Sequence, residues 1–370
     1  MKNPLVRMGE LGQSPWLDYI TRDLIVSGRL ESMIREDGLR GMTSNPTIFE
    51  KAITGSEDYD EEIARGLERG ESPAVVFEAI AVSDVRAACD RFRPVYQRLE
   101  GRDGLVSIEV NPELAHDPAG TLAEAERLWQ AVDRPNVMVK IPGTEAGLSA
   151  ITEALARGIN VNVTLLFSVN RYRQVIDAFQ AGLERRVAAG GPIDRIASVA
   201  SFFVSRVDGK VDPWLDRRRP DDPLRGTIAI ANAAMAYRAF LDSQETGRWR
   251  ALASRGARPQ RPLWASTSTK DPRYADTHYV EPLIAPDTVN TLPPETMAAY
   301  RDHGDPAVRI AETMAQAAAR IAALRERGVD LEEITRDLET EGVEKFAASY
   351  RGLLAGIEKK AVELAGKRPG

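Results

Sequence analysis

The stretch Val137-Met138-Val139-Lys140-Ile141-Pro142 sets a lysine inside a run that otherwise reads as a buried strand. Burial disfavours a charged ammonium, so a lysine walled in by apolar side chains gives up its proton more readily than a free one, whose pKa is about 10.4. A neutral amine attacks carbonyls to form Schiff bases, which lets a protein without a metal make or break a carbon–carbon bond beside a ketone. Taken alone, Lys140 also reads as a strand-end lysine whose head reaches back to water. Its neighbours decide between the two.

Other runs repeat the same polarity. In Ile159 to Phe167, Asn160, Asn162 and Thr164 share one face while Val161, Val163 and Leu165 share the other. Ser107 and Glu109 alternate with Val106, Ile108 and Val110, and the same parity sets Trp16 with Asp18, Thr43 with Asn45, and Ser201 with Phe203. Each residue alone has a plainer reading: Asp18 as a helix N-cap, Asn45 before Pro46 as a turn residue, Glu109 as a salt-bridge partner and Thr164 as a strand threonine. A common face is a stronger statement, because burying carboxylates, amides and an ammonium together costs several kcal/mol unless every group is paired or put to use.

The elements that must carry these residues alternate. Eight β-like runs, near 15–19, 39–45, 105–110, 137–142, 159–167, 196–204, 262–266 and 287–292, are separated by helical patterns, including one broken between Gly70 and Pro73 with Ser72 as N-cap. A charged, proline-bearing loop is expected from Asp212 to Pro223, and helices from about Pro306 to Ala365 with a turn near Gly328. In a chain of 370 residues this order points to an α/β fold, a (β/α)8 TIM barrel with additional helices in the loops and at the C-terminus, spanning 1–370 as a single domain. An open doubly wound sheet is the runner-up. In a barrel the polar faces converge towards the carboxyl ends of the strands, where barrel enzymes keep their active sites.

Composition narrows the class of function. The net charge of -6 argues against nucleic acid or an anionic membrane as the main partner, while leaving room for a local basic pocket. Met1-Lys2-Asn3-Pro4 leads into no apolar signal region and no run is long enough to span a bilayer, so cytoplasmic residence is expected. The single cysteine, Cys89, excludes an intrachain disulfide and reads as a small core residue on a helix; His116, His278 and His303 have no paired-ligand spacing, which disfavours zinc. No glycine-rich nucleotide motif is present.

The segments Gly41-Met42-Thr43-Ser44-Asn45-Pro46-Thr47-Ile48-Phe49, Val106 to Val110, Val137 to Pro142, Asn160 to Ser168 and Ala200 to Asp208 together resemble the transaldolases, in their longer bacterial form, and the resemblance extends over nearly the whole chain. From the histidine spacing and the missing nucleotide motifs, no cofactor and no metal are expected. The resemblance implies a ping-pong transfer of a dihydroxyacetone unit from fructose 6-phosphate or sedoheptulose 7-phosphate to glyceraldehyde 3-phosphate or erythrose 4-phosphate. Lys140 would form the Schiff base, Asp18 would handle the C4 hydroxyl proton, and Glu109 with Thr164 would hold a catalytic water. Asn45, Asn162 and Ser201 match positions that hold the dihydroxyacetone hydroxyls, Phe203 an aromatic wall and Arg206 a phosphate-binding arginine. At the seventh strand the sequence departs from the shorter transaldolases, which usually read Ala-Ser-Phe-Arg: here it is Ala265-Ser266-Thr267-Ser268-Thr269-Lys270. Ser266 and Ser268 thus join the substrate-binding candidates, Ser268 in the arginine's place, and Lys270 either supplies the missing charge or is a solvated loop lysine. The nearest rival is a lyase of the fructose 6-phosphate aldolase type, but that smaller family usually carries a tyrosine where Glu109 stands. A catalytically silent barrel would have lost a member of the cluster, and none is missing.

Overall fold

Strands with one apolar and one mixed face need a helix layer outside and a filled interior within, and closing the sheet on itself supplies both. In the computed structural model, which describes residues 3–366, the eight strands are β1 (Gln13–Asp18), β2 (Gly41–Thr43), β3 (Leu105–Glu109), β4 (Val137–Pro142), β5 (Val161–Leu166), β6 (Ser198–Phe203), β7 (Arg261–Ala265) and β8 (Thr288–Leu292). They run parallel and close in sequence order, with β1 pairing to both β2 and β8. The open doubly wound sheet is excluded, and the fold is a (β/α)8 barrel with additional helices. Met1, Lys2 and 367–370 of the sequence reading lie outside the described residues.

The helices follow in chain order. Before β3 come α1 (Pro4–Glu10), α2 (Arg22–Val26), α3 (Arg29–Glu36), α4 (Pro46–Gly55), α5 (Asp60–Glu68) and α6 (Pro73–Arg98). Then come α7 (Pro118–Val132), α8 (Gly147–Ala156), α9 (Val169–Ala188), α10 (Ser205–Arg218), α11 (Ile228–Gln244) and α12 (Gly247–Ala253). After β8 follow α13 (Pro294–His303), α14 (Ile310–Glu326) and α15 (Leu331–Gly366). The Ser72 cap is as expected, its side chain accepting from the Val75 N–H with Pro73 at the first helical position. Cys89 is buried in α6.

Three expectations change. Asn45 does start a helix, α4, by accepting the Ile48 N–H at 3.0 Å; Pro46 supplies a preset first φ. The segment from Asp212 to Arg218 is not loop but the end of α10, which runs through Pro213. Buried hydrogen bonds outweigh the proline there: Asp208 accepts from the Ala229 N–H at 2.7 Å and Asp212 from the Gly226 N–H at 3.0 Å. In β5 the alternation breaks at Leu165, whose φ of 61° is in the left-handed region, with a bulge against β6 between Val163 and Leu166. Leu165 therefore leaves the outer face it was expected to share with Val161 and Val163, and its side chain packs against Gly342 of α15.

The barrel interior is filled from its amino end upwards. Trp16 is fully buried, and a Cβ on its β2 neighbour Gly41 would lie 2.4 Å from the indole, so only glycine fits there. Asp103 accepts from the Trp16 indole N–H at 3.1 Å and from the Ser14 hydroxyl at 2.6 Å, and pairs with Arg261 at 2.9 Å. These groups pair with one another, which leaves the opposite end for chemistry. There α15 lies across the opening: Leu338, Glu341, Lys345 and Phe346 form part of the cleft wall, and its docking on α4 includes a Thr47–Ser349 hydrogen bond of 2.8 Å.

Candidate active site

Parallel register sets Glu109 of β3, Lys140 of β4 and Asn162 of β5 in one row across the barrel, and Thr164 one step nearer the carboxyl end. Lys140 is only 4% exposed. Its Nζ donates to the Ser44 carbonyl at 3.2 Å and stands 3.3 Å from Glu109 Oε2. The face of the Phe346 ring of α15 is turned to the ammonium, with its centroid 5.6 Å away.

Glu109 is a strongly perturbed carboxylate of this group. Burial pushes its pKa up to about 7, against the pull of Lys140. Apart from the Lys140 ammonium at Oε2, its oxygens have no partner within the protein, and the Thr164 hydroxyl is buried without one. Buried polar atoms left open in this way call for a water or a substrate group.

Asp18 sits at the end of β1. Thr43 Oγ1 donates to Asp18 Oδ1 at 2.7 Å and lies 2.6 Å from Thr291 Oγ1. Burial raises the Asp18 pKa, while Lys140 and the Thr43 hydrogen bond oppose it. Asn162 is engaged at both ends: its Nδ2 donates to Ser107 Oγ at 3.0 Å, and its Oδ1 accepts from Ser201 Oγ at 2.7 Å. That chain orients Ser201 and holds β3, β5 and β6 together inside the barrel. Asn160, which shared the polar parity, instead caps the amino end, donating to the Pro135 and Val137 carbonyls.

A cleft of about 700 Å³ opens above Lys140. Of the residues expected in the site, Lys140, Asp18, Asn45, Ser201, Phe203, Arg206, Ser266, Ser268 and Lys270 line it, whereas Glu109, Asn162 and Thr164 lie behind its wall. Its far end is cationic. Arg206, at the start of α10, stacks 5.1 Å from the Phe203 ring centroid; burial pushes its pKa down, and among the described residues it forms no ion pair. Lys270 Nζ donates to Ser268 Oγ at 3.1 Å and also forms no ion pair among the described residues. Ser266 adopts a φ of 55°, and its hydroxyl lies 3.1 Å from Ser205 Oγ at the head of α10.

Sequence reasoning missed several neighbours. Ser44 adjoins Asn45 and was within reach of the strand-end argument, which already set Thr43 on the shared face. Phe346 was not, because nothing local marks one phenylalanine of a helical pattern as a lid over a lysine 206 positions earlier. The histidines stand apart from Lys140: His278 stacks on Tyr274 with its Nε2 2.7 Å from the Gly226 carbonyl, and His303 pairs with Asp276 at 2.9 Å. An amine in a closed pocket beside a carboxyl group that titrates near neutrality, with a second carboxylate and a cationic end, suits imine chemistry on an anionic carbonyl compound.

The family model described as Transaldolase/Fructose-6-phosphate aldolase matches residues 15–357. A transaldolase of Acidothermus cellulolyticus is 50% identical over 363 residues, covering 97% of each chain. One of Frankia alni is 48% identical over 97% of this chain and 98% of its own, and a protein named Transaldolase 2 from a Nostoc species is 47% identical over 97% of both. With a match of this extent laid over a closed barrel and a buried lysine, the chain belongs to the transaldolase/fructose-6-phosphate aldolase family.

Proposed function

We propose that the protein is a transaldolase, moving a dihydroxyacetone unit from a ketose phosphate, sedoheptulose 7-phosphate or fructose 6-phosphate, to glyceraldehyde 3-phosphate or erythrose 4-phosphate in the non-oxidative pentose phosphate pathway. The observation that carries this reading is the buried Lys140–Glu109 pair at the base of a cleft whose far end holds Arg206 and Lys270. Lys140 attacks the ketose carbonyl and becomes a Schiff base. Glu109, with a pKa of about 7, lends and recovers the protons of carbinolamine formation and dehydration through a water held with Thr164. Asp18 takes the C4 hydroxyl proton as the C3–C4 bond breaks, and the electrons pass into the protonated imine to form an enamine. Ser201 and Asn45, backed by Asn162, hold the three-carbon unit, and Phe203 walls it. Arg206 and Lys270, with Ser266 and Ser268, receive the phosphate.

Holding the enamine until an aldehyde arrives makes a transferase, and admitting water or a proton makes a lyase. The Phe346 lid and the glutamate at position 109 both favour transfer. The whole chain works as one domain in the cytoplasm, without cofactor or metal, with sugar phosphates as its partners and neither nucleic acid nor membrane. The acidic composition supports that setting.

The experiment is reduction with borohydride in the presence of fructose 6-phosphate, followed by mapping of the adduct. A mass gain on Lys140 is expected; a gain on any other lysine overturns the assignment. Erythrose 4-phosphate then separates the classes, since a transferase accumulates sedoheptulose 7-phosphate and a lyase free dihydroxyacetone.

A further inference from the structure

Glu109 is absent from the walls of the substrate cleft, yet it forms the inner end of a second cavity of about 40 Å³. This cavity runs between α4, α6, α7, α15 and the turn after β3. At its inner end are Ser44 and Glu109, the two groups in contact with the Lys140 ammonium at 3.2 and 3.3 Å. Its walls are mostly apolar: Phe49 meets Phe77 edge-on at 5.5 Å, Phe77 meets Tyr350 at 5.9 Å, and Ala81 and Leu128 also line it. The outer end carries Glu78 and Glu124, both paired with the half-exposed Arg127.

One water needs about 10–15 Å³ of such space, so the bore takes about three in file. Water there meets carboxylates at both ends and few polar groups between them, among them Asn111 and Tyr350. Glu109 Oε2 faces the Lys140 ammonium, while Oε1 is buried with no partner inside the protein, so the inner end has an acceptor to offer.

We propose that this cavity is a water port, by which the Lys140 site exchanges water with bulk while a sugar phosphate fills the main cleft. The inference rests on the Schiff-base reading above. Each imine formed releases one water: the ketose C2–O bond breaks as the nitrogen lone pair forms C=N, and the departing oxygen takes a proton from the Glu109 carboxyl. Hydrolysis of the imine consumes one water by the reverse steps. With the substrate phosphate at Arg206 and Lys270 and Phe346 over the lysine, the open side of Glu109 faces the port and not the cleft. The apolar bore passes neutral water and rejects anionic substrate, so the enamine stays shielded on its substrate side.

The test fills the bore. Ala81→Leu places a larger side chain midway, and Ala74→Leu closes the outer end on a half-buried turn of α6 without loading the core. Single turnovers with fructose 6-phosphate in H₂¹⁸O give two rates: appearance of the borohydride-trapped Lys140 adduct, and entry of ¹⁸O into C2 of recovered ketose. Both variants are expected to form adduct about tenfold more slowly at unchanged KM, with ¹⁸O entry per adduct down about fivefold, because released water is caged and returns. Thermal unfolding at or near the wild-type midpoint excludes a damaged fold as the cause, and Ala74→Leu serves if Ala81→Leu unfolds early. Wild-type rates of both processes in a folded variant overturn the port. A wild-type protein that traps no adduct on Lys140 overturns the Schiff-base reading and the port together.

Discussion

Lys140 Nζ and Glu109 Oε2 face each other at 3.3 Å from adjacent strands of a closed barrel, each almost fully buried. Burial and attraction act in opposite senses on the glutamate, and burial wins, leaving its pKa at about 7. The consequence is a buried acid whose protonation changes near neutral pH beside an amine, which gives the site its first measurable signature.

Adduct formation with fructose 6-phosphate is expected to titrate near pH 7, the rate falling as Glu109 loses the proton it donates. Glu109→Gln should remove that inflection and lower kcat by about 10²–10³-fold. Stability carries the same sign. The folded pKa is raised above the unfolded one, so the folded state binds more protons between about pH 4.3 and 7, and stability is lost as pH rises through that window. Thermal melts of wild type and Glu109→Gln should therefore diverge in favour of the variant as pH rises from 5 to 8. A constant difference would show that Glu109 titrates normally.

Asp18 is assigned to bond cleavage and not to imine formation, and mass spectrometry separates the two. Asp18→Asn should still trap on Lys140, but as the intact six-carbon ketose phosphate, with transfer slowed by about 10²–10⁴-fold. A three-carbon adduct formed at the wild-type rate would remove Asp18 from the role.

At the cationic end, Arg206→Ala and Lys270→Ala each remove a charge-assisted contact worth about 1.5–3 kcal/mol, so KM for phosphorylated substrates should rise roughly ten- to hundredfold. Fructose without a phosphate should be handled unchanged. Equal losses on both substrates would place Lys270 outside the phosphate site, as an ordinary loop lysine hydrogen-bonded to Ser268.

Phe346 closes the site from α15. Phe346→Ala should admit water to the enamine, raising the share of free dihydroxyacetone among the products while the Lys140 adduct still forms. An unchanged product ratio by chromatography would mean that the lid does not guard the intermediate.

Gly41→Ala tests the barrel floor, one side-chain layer below Asp18 and Thr43. The new methyl would meet the Trp16 ring at 2.4 Å with no space to yield, so denaturant unfolding should show a loss of about 1–3 kcal/mol. A neutral result would mean that the indole can shift within its layer.

Much of this was written locally. The eight strands, the helices between most of them and the common face of Asp18, Glu109, Lys140 and Thr164 follow from a two-residue period and from helix caps, which depend only on near neighbours in sequence. The resemblance then attached roles to those positions. Tertiary structure alone decided how the sheet closed, because closure depends on the pairing of β1 with β8, strands some 270 residues apart. It also decided that Leu165 would break the alternation, that Asp208 and Asp212 would hold a helix through Pro213, and that α15 would bring Phe346 over Lys140. The open oxygens of Glu109 belong to the same class. A residue's type states what it can donate or accept, but whether a partner reaches it is settled only when distant segments pack.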